Sequence, residues 1–328
     1  MNSAESKVLP APPNLVRALL AGFDTIANHI GLILFSIGLD VLLWFGSQIR
    51  IYQLIKSYLD WTIQTAIGQT PQIADAMQSS QQTLTIFAER FNLLSVLRAF
   101  PFGIPSLMTG RAPVNNPLGR PLSWEVPSFG SAVIFGLAFL LIGIFLGTLF
   151  FSLISQAAIH GKVNWKEALT AWISRFSQVL LLTIFFLVLL LGISLPLSCI
   201  LPFAVIGSGS VGRVVIFMYG AMLLWLLYPL VLSPFGIFIY QDKMWASVLR
   251  GVRFARLTST STILFMLAVI LLSQGLDMLW NIPVDSSWFT MVGILGHAFI
   301  LSSLLAASFV YYRDAGIYVE KRLQQLQA

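Results

Sequence analysis

Long runs of apolar residues, separated by short polar stretches, dominate the pattern of this chain. A helix that spans a membrane needs about 20 mostly apolar residues, and six stretches approach or exceed that length. They lie at residues 27–46, 130–158, 178–198, 212–240, 260–280 and 287–312. The pattern therefore predicts an all-α, polytopic membrane helix bundle with about six transmembrane helices. The first span (27–46) stands apart, and the other five form a membrane domain at 130–312.

The composition indicates that lipid is the main solvent of the chain. Of its 328 residues, 57% are hydrophobic and only 10% are charged, whereas a soluble domain carries about 25% charged residues. The formal net charge is +6, but the basic residues do not form a patch with interleaved aromatic residues. We therefore predict the lipid bilayer as the principal partner and expect no nucleic-acid partner.

The positions of Lys and Arg predict the orientation of the chain. Cytoplasmic loops carry an excess of basic residues. In this chain, Lys and Arg lie in the loop between the second and third spans, in the loop between the fourth and fifth spans, and in the segment after the sixth span. The alternate loops, at 199–211 and 281–286, contain none. Residues 1–26 and 313–328 are thus expected in the cytoplasm, with the chain in a bacterial inner membrane. The N-terminus lacks the features of a cleaved signal peptide, so we expect none to be removed.

Residues 47–129 are predicted to be a helical extracytoplasmic insertion that ends in a Pro/Gly loop. Apolar residues recur at helical spacing over 51–61 and again after Pro71, which is a favourable helix start. The stretch "FPFGIPSLMTGRAPVNNPLGRPLSWEVPS" follows and is typical of an extended loop. Such a small core does not stand alone, so we expect it to pack on the membrane surface. Residues 51–127 could then bind a membrane-protein partner.

Two amphipathic stretches are predicted to be interfacial elbow helices on the cytoplasmic side. "KVNWKEALTAWISRF" and "DKMWASVLRGVRFAR" align with Trp165 over Trp245. Together with Trp172, these tryptophans would anchor the elbows at headgroup depth. Because both copies have the same orientation, residues 130–209 and 210–286 are predicted to form a parallel internal repeat.

The segment "IGSGSVGR" places Gly207, Gly209 and Gly212 in the G-x-G-x-x-G spacing of a dinucleotide site. Such a site needs a strand before it, a helix after it and an acid about 20 residues on. Here apolar spans flank the glycines, and the next acid is Asp242. We interpret the glycines as turn chemistry and predict no cofactor.

Two ionisable residues inside predicted spans are the candidate intramembrane polar site. A carboxylate at a helix centre costs about 2.5–3.5 kcal/mol on insertion scales, so Asp40 either pairs structurally, for example with Arg50, or forms a proton or ion site. His297 lies about 15 Å into the sixth span, where it either hydrogen-bonds a neighbour or shuttles protons. An Asp40–His297 pair is the sharpest hypothesis, because each would offset the burial cost of the other.

Small residues and prolines predict packing contacts and kinks. Gly143 and Gly147 have the G-x-x-x-G spacing of a helix–helix interface, either inside the monomer or between copies in a homo-oligomer. Gly293 would let a neighbouring helix approach closely. Pro229 and Pro234 are expected to kink the fourth span, and broken helices can expose backbone to a substrate.

No catalytic constellation stands out in the sequence. The Walker A, H-E-x-x-H and G-x-S-x-G patterns are absent. Cys199 is the only cysteine, and the three histidines are scattered. We therefore predict no catalytic residue and no metal site.

Three segments resemble a group of uncharacterised bacterial six-span integral membrane proteins: "GLDVLLWFGSQIRIYQLI", "NLLSVLRAFPFGIPSLMTGRAPVNNPLG" and "ASFVYYRDAGIYVEKRL". Residues from about 130 onward are also similar to the membrane domain attached to some glycerophosphodiester phosphodiesterases. No phosphodiesterase catalytic domain is present, so no catalytic residue carries over. The resemblance implies an architecture and leaves the activity open.

Three classes of function remain after these exclusions. The leading prediction is a non-enzymatic membrane module that organises a protein partner or a lipid. The alternative is a transporter or permease for a small molecule, an ion or a lipid that uses Asp40 and His297. An intramembrane enzyme would need a cavity lined by polar groups from several spans, which the sequence does not reveal.

Overall fold

The fold is described from a computed structural model, in which residues 12–66, 84–99, 101–207 and 209–327 are described. Nearly all of the regular structure in these residues is helical, which confirms the all-α prediction. The first part of the helix predicted from Pro71 lies outside the described residues, and a helix is present over 84–90. Two strands, β1 (Gln48–Arg50) and β2 (Ser123–Glu125), pair in parallel.

The helices are numbered here in chain order. They are α1 (Leu15–Asn28), α2 (Leu34–Phe45), α3 (Tyr52–Ala66), α4 (84–90), α5 (Leu107–Arg111), α6 (Phe129–His160), α7 (Trp165–Gly207), α8 (Gly209–Leu227), α9 (Ser233–Ile239), α10 (Met244–Leu257), α11 (Ser259–Trp280) and α12 (Thr290–Gln327). Short 3-10 turns lie at Ile30–Ile33, Leu93–Arg98 and Tyr228–Leu230.

Five helical stretches are long and apolar enough to cross a membrane. They are Phe129–His160, Trp165–Pro196, Ser210–Ile239, Ser259–Trp280 and Thr290–Gln325, with mean hydropathies between 1.8 and 2.8. The pair α1 and α2 is a sixth candidate that is bent by 91°. By length and composition these helices indicate a multi-pass membrane protein.

The predicted first span, 27–46, lies across the bend between α1 and α2. The ring and the backbone N–H of His29 both bond the carbonyl of Thr25, which closes α1 at that point. The residues that α1 buries are Ala18, Gly22 and Ile26, which share one face at a spacing of four. Helix α1 has only 14 residues and includes Arg17 and Asp24, so it does not form an apolar run of spanning length by itself.

The two predicted elbows differ from each other in the structure. The first is not a separate helix, because α7 runs without interruption from Trp165 to Gly207. It also continues through Pro196 and Pro202. A proline removes one helical hydrogen bond, but an apolar environment offers the remaining backbone groups no partner outside the helix. Only the second elbow, α10, is a helix of its own, and the parallel repeat of 130–209 and 210–286 stays a prediction.

Two compact units make up the chain. Unit 1 comprises Met1–His29, Phe151–Leu271 and Ser303–Ala328, and unit 2 comprises Ile30–Phe150 and Leu272–Ser302.

The core of unit 1 is aromatic and lies around the second half of α12. Tyr311 stacks on Phe265 with ring centroids 4.3 Å apart, and its hydroxyl lies 3.0 Å from that of Thr262. Helix α1 joins this core because Gly22 leaves no room for a side chain: a Cβ there would lie 2.5 Å from the backbone nitrogen of Ala307.

An ion pair links helix α10 of unit 1 to the residues just before it. Arg250 Nε lies 2.7 Å from a carboxylate oxygen of Asp242. The hydrogen bond to Asp242 raises the pKa of Arg250 above its usual range. The guanidinium therefore stays charged throughout the pH range in which proteins remain folded. Trp245 follows on an exposed face, where its ring meets that of Phe185 at 5.3 Å.

Candidate functional site

Asp40 of α2 fixes the start of α5 inside unit 2. Ser106 donates its hydroxyl proton to Asp40 over 2.6 Å, and the backbone N–H groups of Leu107 and Met108 donate to the same carboxylate over 3.2 and 2.9 Å. Ser106 also accepts from the N–H of Thr109 and so caps α5. The unpaired N–H groups of a helix start favour a negative charge. A fully buried carboxylate is thus satisfied by a helix terminus.

The insertion is consequently built into unit 2 and does not lie loosely on a surface. A Cβ on Gly147 of α6 would lie 2.5 Å from the carbonyl of Phe102, and one on Gly143 would meet the Leu97 carbonyl and lie 2.8 Å from Ala99 Cβ. These contacts are with the insertion, and the helix–helix interface predicted for the two glycines is not among them. They make room for the irregular backbone of the insertion, which approaches a helix closely only where no side chain intervenes.

Gly293 does make the helix contact that was predicted for it. A Cβ at this position of α12 would lie 2.7 Å from the carbonyl of Trp280, the last residue of α11. Three residues on, a Cβ on Gly296 would lie 2.6 Å from the Trp280 ring. The two glycines therefore accommodate the end of α11.

His297 lies one turn beyond Gly293 and meets a different acid from the one predicted. Its Nε2 is 3.6 Å from Asp277 Oδ1, and its side chain is 3% exposed. No hydrogen bond or ion pair links His297 with Asp40 in the described part of the chain, and its Nδ1 has no partner there. Arg98, which the sequence analysis did not single out, lies within electrostatic range of Asp40, Asp277 and His297. These four side chains form a polar cluster within unit 2.

The remaining predicted residues lie in unit 1. Pro229 falls in the 3-10 turn after α8, and Pro234 in the first turn of α9, so the fourth span is divided at both positions. Of the predicted interfacial anchors, Trp165 and Trp245 are exposed and Trp172 is half-buried. None of these residues joins the polar cluster.

A cavity of about 480 Å³ opens in unit 2 beside α5. Its described lining is Leu43, Ile86, Phe87, Arg90, Phe91, Asn92, Ser95 and the stretch Met108–Pro113. Ligand pockets in proteins enclose about 300–1,000 Å³, so the cavity has the size of a small-molecule site. Sequence analysis missed it because its walls come from segments that are far apart in the chain.

Arg111 is the most constrained charge in the cavity wall. Its Nη2 lies 2.7 Å from Asp285 Oδ1, its side chain is 9% exposed, and it also donates to the carbonyl of Pro283. The carbonyl of Asp285 accepts a hydrogen bond of 3.0 Å from Trp44 Nε1. The end of α5, the loop before α12 and the end of α2 are thereby held together.

The cavity offers a ligand two arginines, the amide of Asn92, the hydroxyl groups of Ser95 and Thr109, and apolar side chains. In the described residues no group of three or more His, Cys, Asp or Glu side chains is placed to hold a metal.

Comparison with family models, curated proteins and solved structures finds no match for this chain. The resemblance to six-span bacterial proteins therefore stays a prediction that rests on the quoted segments.

Proposed function

We propose that the chain is a non-enzymatic membrane module that holds a lipid or a protein partner through residues 47–129. In this proposal it lies in a bacterial inner membrane, with both termini in the cytoplasm and the insertion outside. The observation that carries the proposal is the cavity beside α5, whose Met108–Arg111 side is held by buried contacts to α2 and to the loop before α12. A largely preformed concave surface is the usual form of a ligand site.

The hydrogen bonds of Asp40 support a structural role for that residue. Both of its oxygens are engaged by α5, and the side chain is fully buried. A proton or ion carrier would have to give up these bonds in each cycle. In this proposal Asp40 holds the start of α5 in place, and with it one side of the cavity.

The experiment is affinity purification in a mild detergent, followed by lipid and protein analysis. We expect a stoichiometric lipid or protein to copurify with the wild-type chain. It should be lost when Phe87 and Phe91, which line the cavity with ring centroids 5.5 Å apart, are both replaced by Ala. The matched control is the double replacement of Tyr58 and Trp61, an aromatic pair on α3 that does not line the cavity. Equal copurification with both double variants would contradict the proposal.

A second candidate, transport, is favoured by the polar cluster around His297. A buried histidine with one nitrogen unpartnered among the described residues, in a helix long enough to span a membrane, is a default candidate for a proton pathway. The test is proton flux into liposomes that contain the protein, measured with a trapped pH dye. Transport requires a flux that His297→Asn abolishes; a wild-type flux no greater than that of empty liposomes would argue against it.

A further inference from the structure

Apolar and cationic side chains share the lining of the cavity in unit 2. Ile86, Phe87 and Phe91, together with Leu43 and Met108, form its apolar part, which we call the apolar wall. Arg90 on α4 and Arg111 on α5, with neighbouring polar groups, supply the rest, and no carboxylate lines the cavity in the described part of the chain. A ligand that satisfied both kinds of side chain would have to be amphiphilic and anionic.

The arginines retain unused capacity for an anion. Arg111 gives Nη2 to Asp285, whereas its Nη1 is buried without a partner among the described residues. A buried guanidinium N–H without an acceptor is costly, and a rearrangement of the Arg111 side chain that brought Nη1 to a ligand oxygen would relieve that cost. Arg90 has no hydrogen bond or ion pair to any described residue, and its side chain is exposed. Arg90 therefore presents a positive charge to the cavity that no described carboxylate pairs with.

The apolar wall distinguishes between candidate anions. Phe87 is 58% and Ile86 is 57% exposed, although both line a cavity that also contains two arginines. A bare phosphate would engage the arginines and leave these side chains uncovered. An acyl chain would cover them, because burial of such surface is favourable in proportion to its area. Arginine in turn recognises phosphate oxygens through paired N–H groups.

We infer that this cavity binds a phosphate-bearing amphiphile with the chemistry of an anionic glycerophospholipid. Arg90 and Arg111 hold the phosphate, and Phe87, Phe91 and Ile86 hold the beginning of an acyl chain. The inference rests on the proposed function, since it names the molecule that the module holds.

The test is a binding titration on the purified full-length chain in a neutral detergent, read as a thermal shift. Three probes separate the two halves of the ligand. Dioctanoyl phosphatidylglycerol carries phosphate and chains, dioctanoylglycerol carries the same chains alone, and inorganic phosphate carries the anion alone. A ligand that binds only the folded state raises the melting temperature as its concentration passes Kd. We expect phosphatidylglycerol to bind at least about tenfold more tightly than either of the other two probes.

Three variants assign the binding to the cavity. Arg90→Gln should weaken phosphatidylglycerol about tenfold, the scale of one charge-assisted contact. Arg120→Gln removes the same charge from an exposed position of the insertion outside the cavity, and it should leave the affinity unchanged. Phe87→Ala should weaken phosphatidylglycerol about tenfold through lost apolar contact and leave the response to inorganic phosphate as it was. If Arg90→Gln without ligand melts at the same temperature as the wild-type chain, the variant is folded.

Four results would overturn the inference. They are equal affinity for dioctanoylglycerol and phosphatidylglycerol, equal affinity for inorganic phosphate, unchanged binding by Arg90→Gln, and an equal loss with Arg120→Gln. Equal binding of inorganic phosphate would assign the site to a free anion. If a protein still copurifies through the Phe87–Phe91 wall while phosphatidylglycerol fails to bind, only the identity of the ligand is wrong. If nothing copurifies either, the proposed function falls with it.

Discussion

Replacement of Asp40 by Ala should loosen the insertion, because this carboxylate accepts three hydrogen bonds from the start of α5. The site is fully buried, so no water replaces the lost acceptor. Each buried donor left unpaired costs about 1–3 kcal/mol, and three such donors give an upper range of about 3–9 kcal/mol. Removal of the charge also recovers its desolvation cost of several kcal/mol. We therefore expect a net loss near the lower end, about 3 kcal/mol.

Thermal unfolding in detergent measures this loss. A destabilisation of 1 kcal/mol lowers Tm by about 2–4 °C for domains of 150–250 residues, so Asp40→Ala should lower Tm by about 6–12 °C. Asp40→Asn should have a smaller effect, since the amide keeps one acceptor but turns an N–H group toward a donor of α5. Asp60→Ala is the matched control, because Asp60 lies exposed on α3.

The reasoning would be refuted by an Asp40→Ala variant that melts within about 2 °C of the wild-type chain. The start of α5 would then be held by contacts other than this carboxylate. A loss of the same size in Asp60→Ala would also refute it, since the effect would then follow from a change of net charge and not from the buried hydrogen bonds.

Two further predictions follow from the packing of the insertion and from the proposed orientation. Gly143→Ala should destabilise the chain by about 1–3 kcal/mol through overpacking. Gly136→Ala on the same helix is the control, because the nearest atom is 3.8 Å from the added Cβ, and it should be neutral or slightly stabilising. Chemical or thermal unfolding measures both variants, and equal effects would contradict the close approach of the insertion to Gly143. In a variant without other cysteines, a membrane-impermeant maleimide should label Leu118→Cys and not Lys162→Cys in intact cells, and the reverse pattern would invert the proposed topology.

The membrane helices are the part of the fold that the sequence predicts well. Each of the five stretches in the domain at 130–312 is long and strongly apolar, so a hydropathy window finds it without knowledge of any contact. Helix α1 escapes the same window, since it is only 14 residues long and contains Arg17 and Asp24. An amphipathic helix of this kind becomes evident only when its partner, here the second half of α12, is known.

The candidate site is harder to predict, because its residues meet across long stretches of chain. Ser106 lies 66 residues from Asp40, and the carbonyl that Arg111 bonds lies 172 residues away. Periodicity reports which face of an element is buried but not which element covers it. Asp40 was singled out as costly to bury, and two of its three donors are backbone N–H groups, which carry no signal in the sequence.

The length of α7 has a mechanical consequence. Its stretch Trp165–Pro196 has 32 residues and is about 48 Å long at 1.5 Å per residue, whereas a hydrocarbon core is about 30 Å thick. The excess falls on the amphipathic start of the helix, which carries Lys166, Glu167 and Arg175. In the proposed membrane setting, about 18 Å of the same unbroken helix would therefore extend through the headgroup region, so a force on its charged start would be transmitted directly to its apolar part.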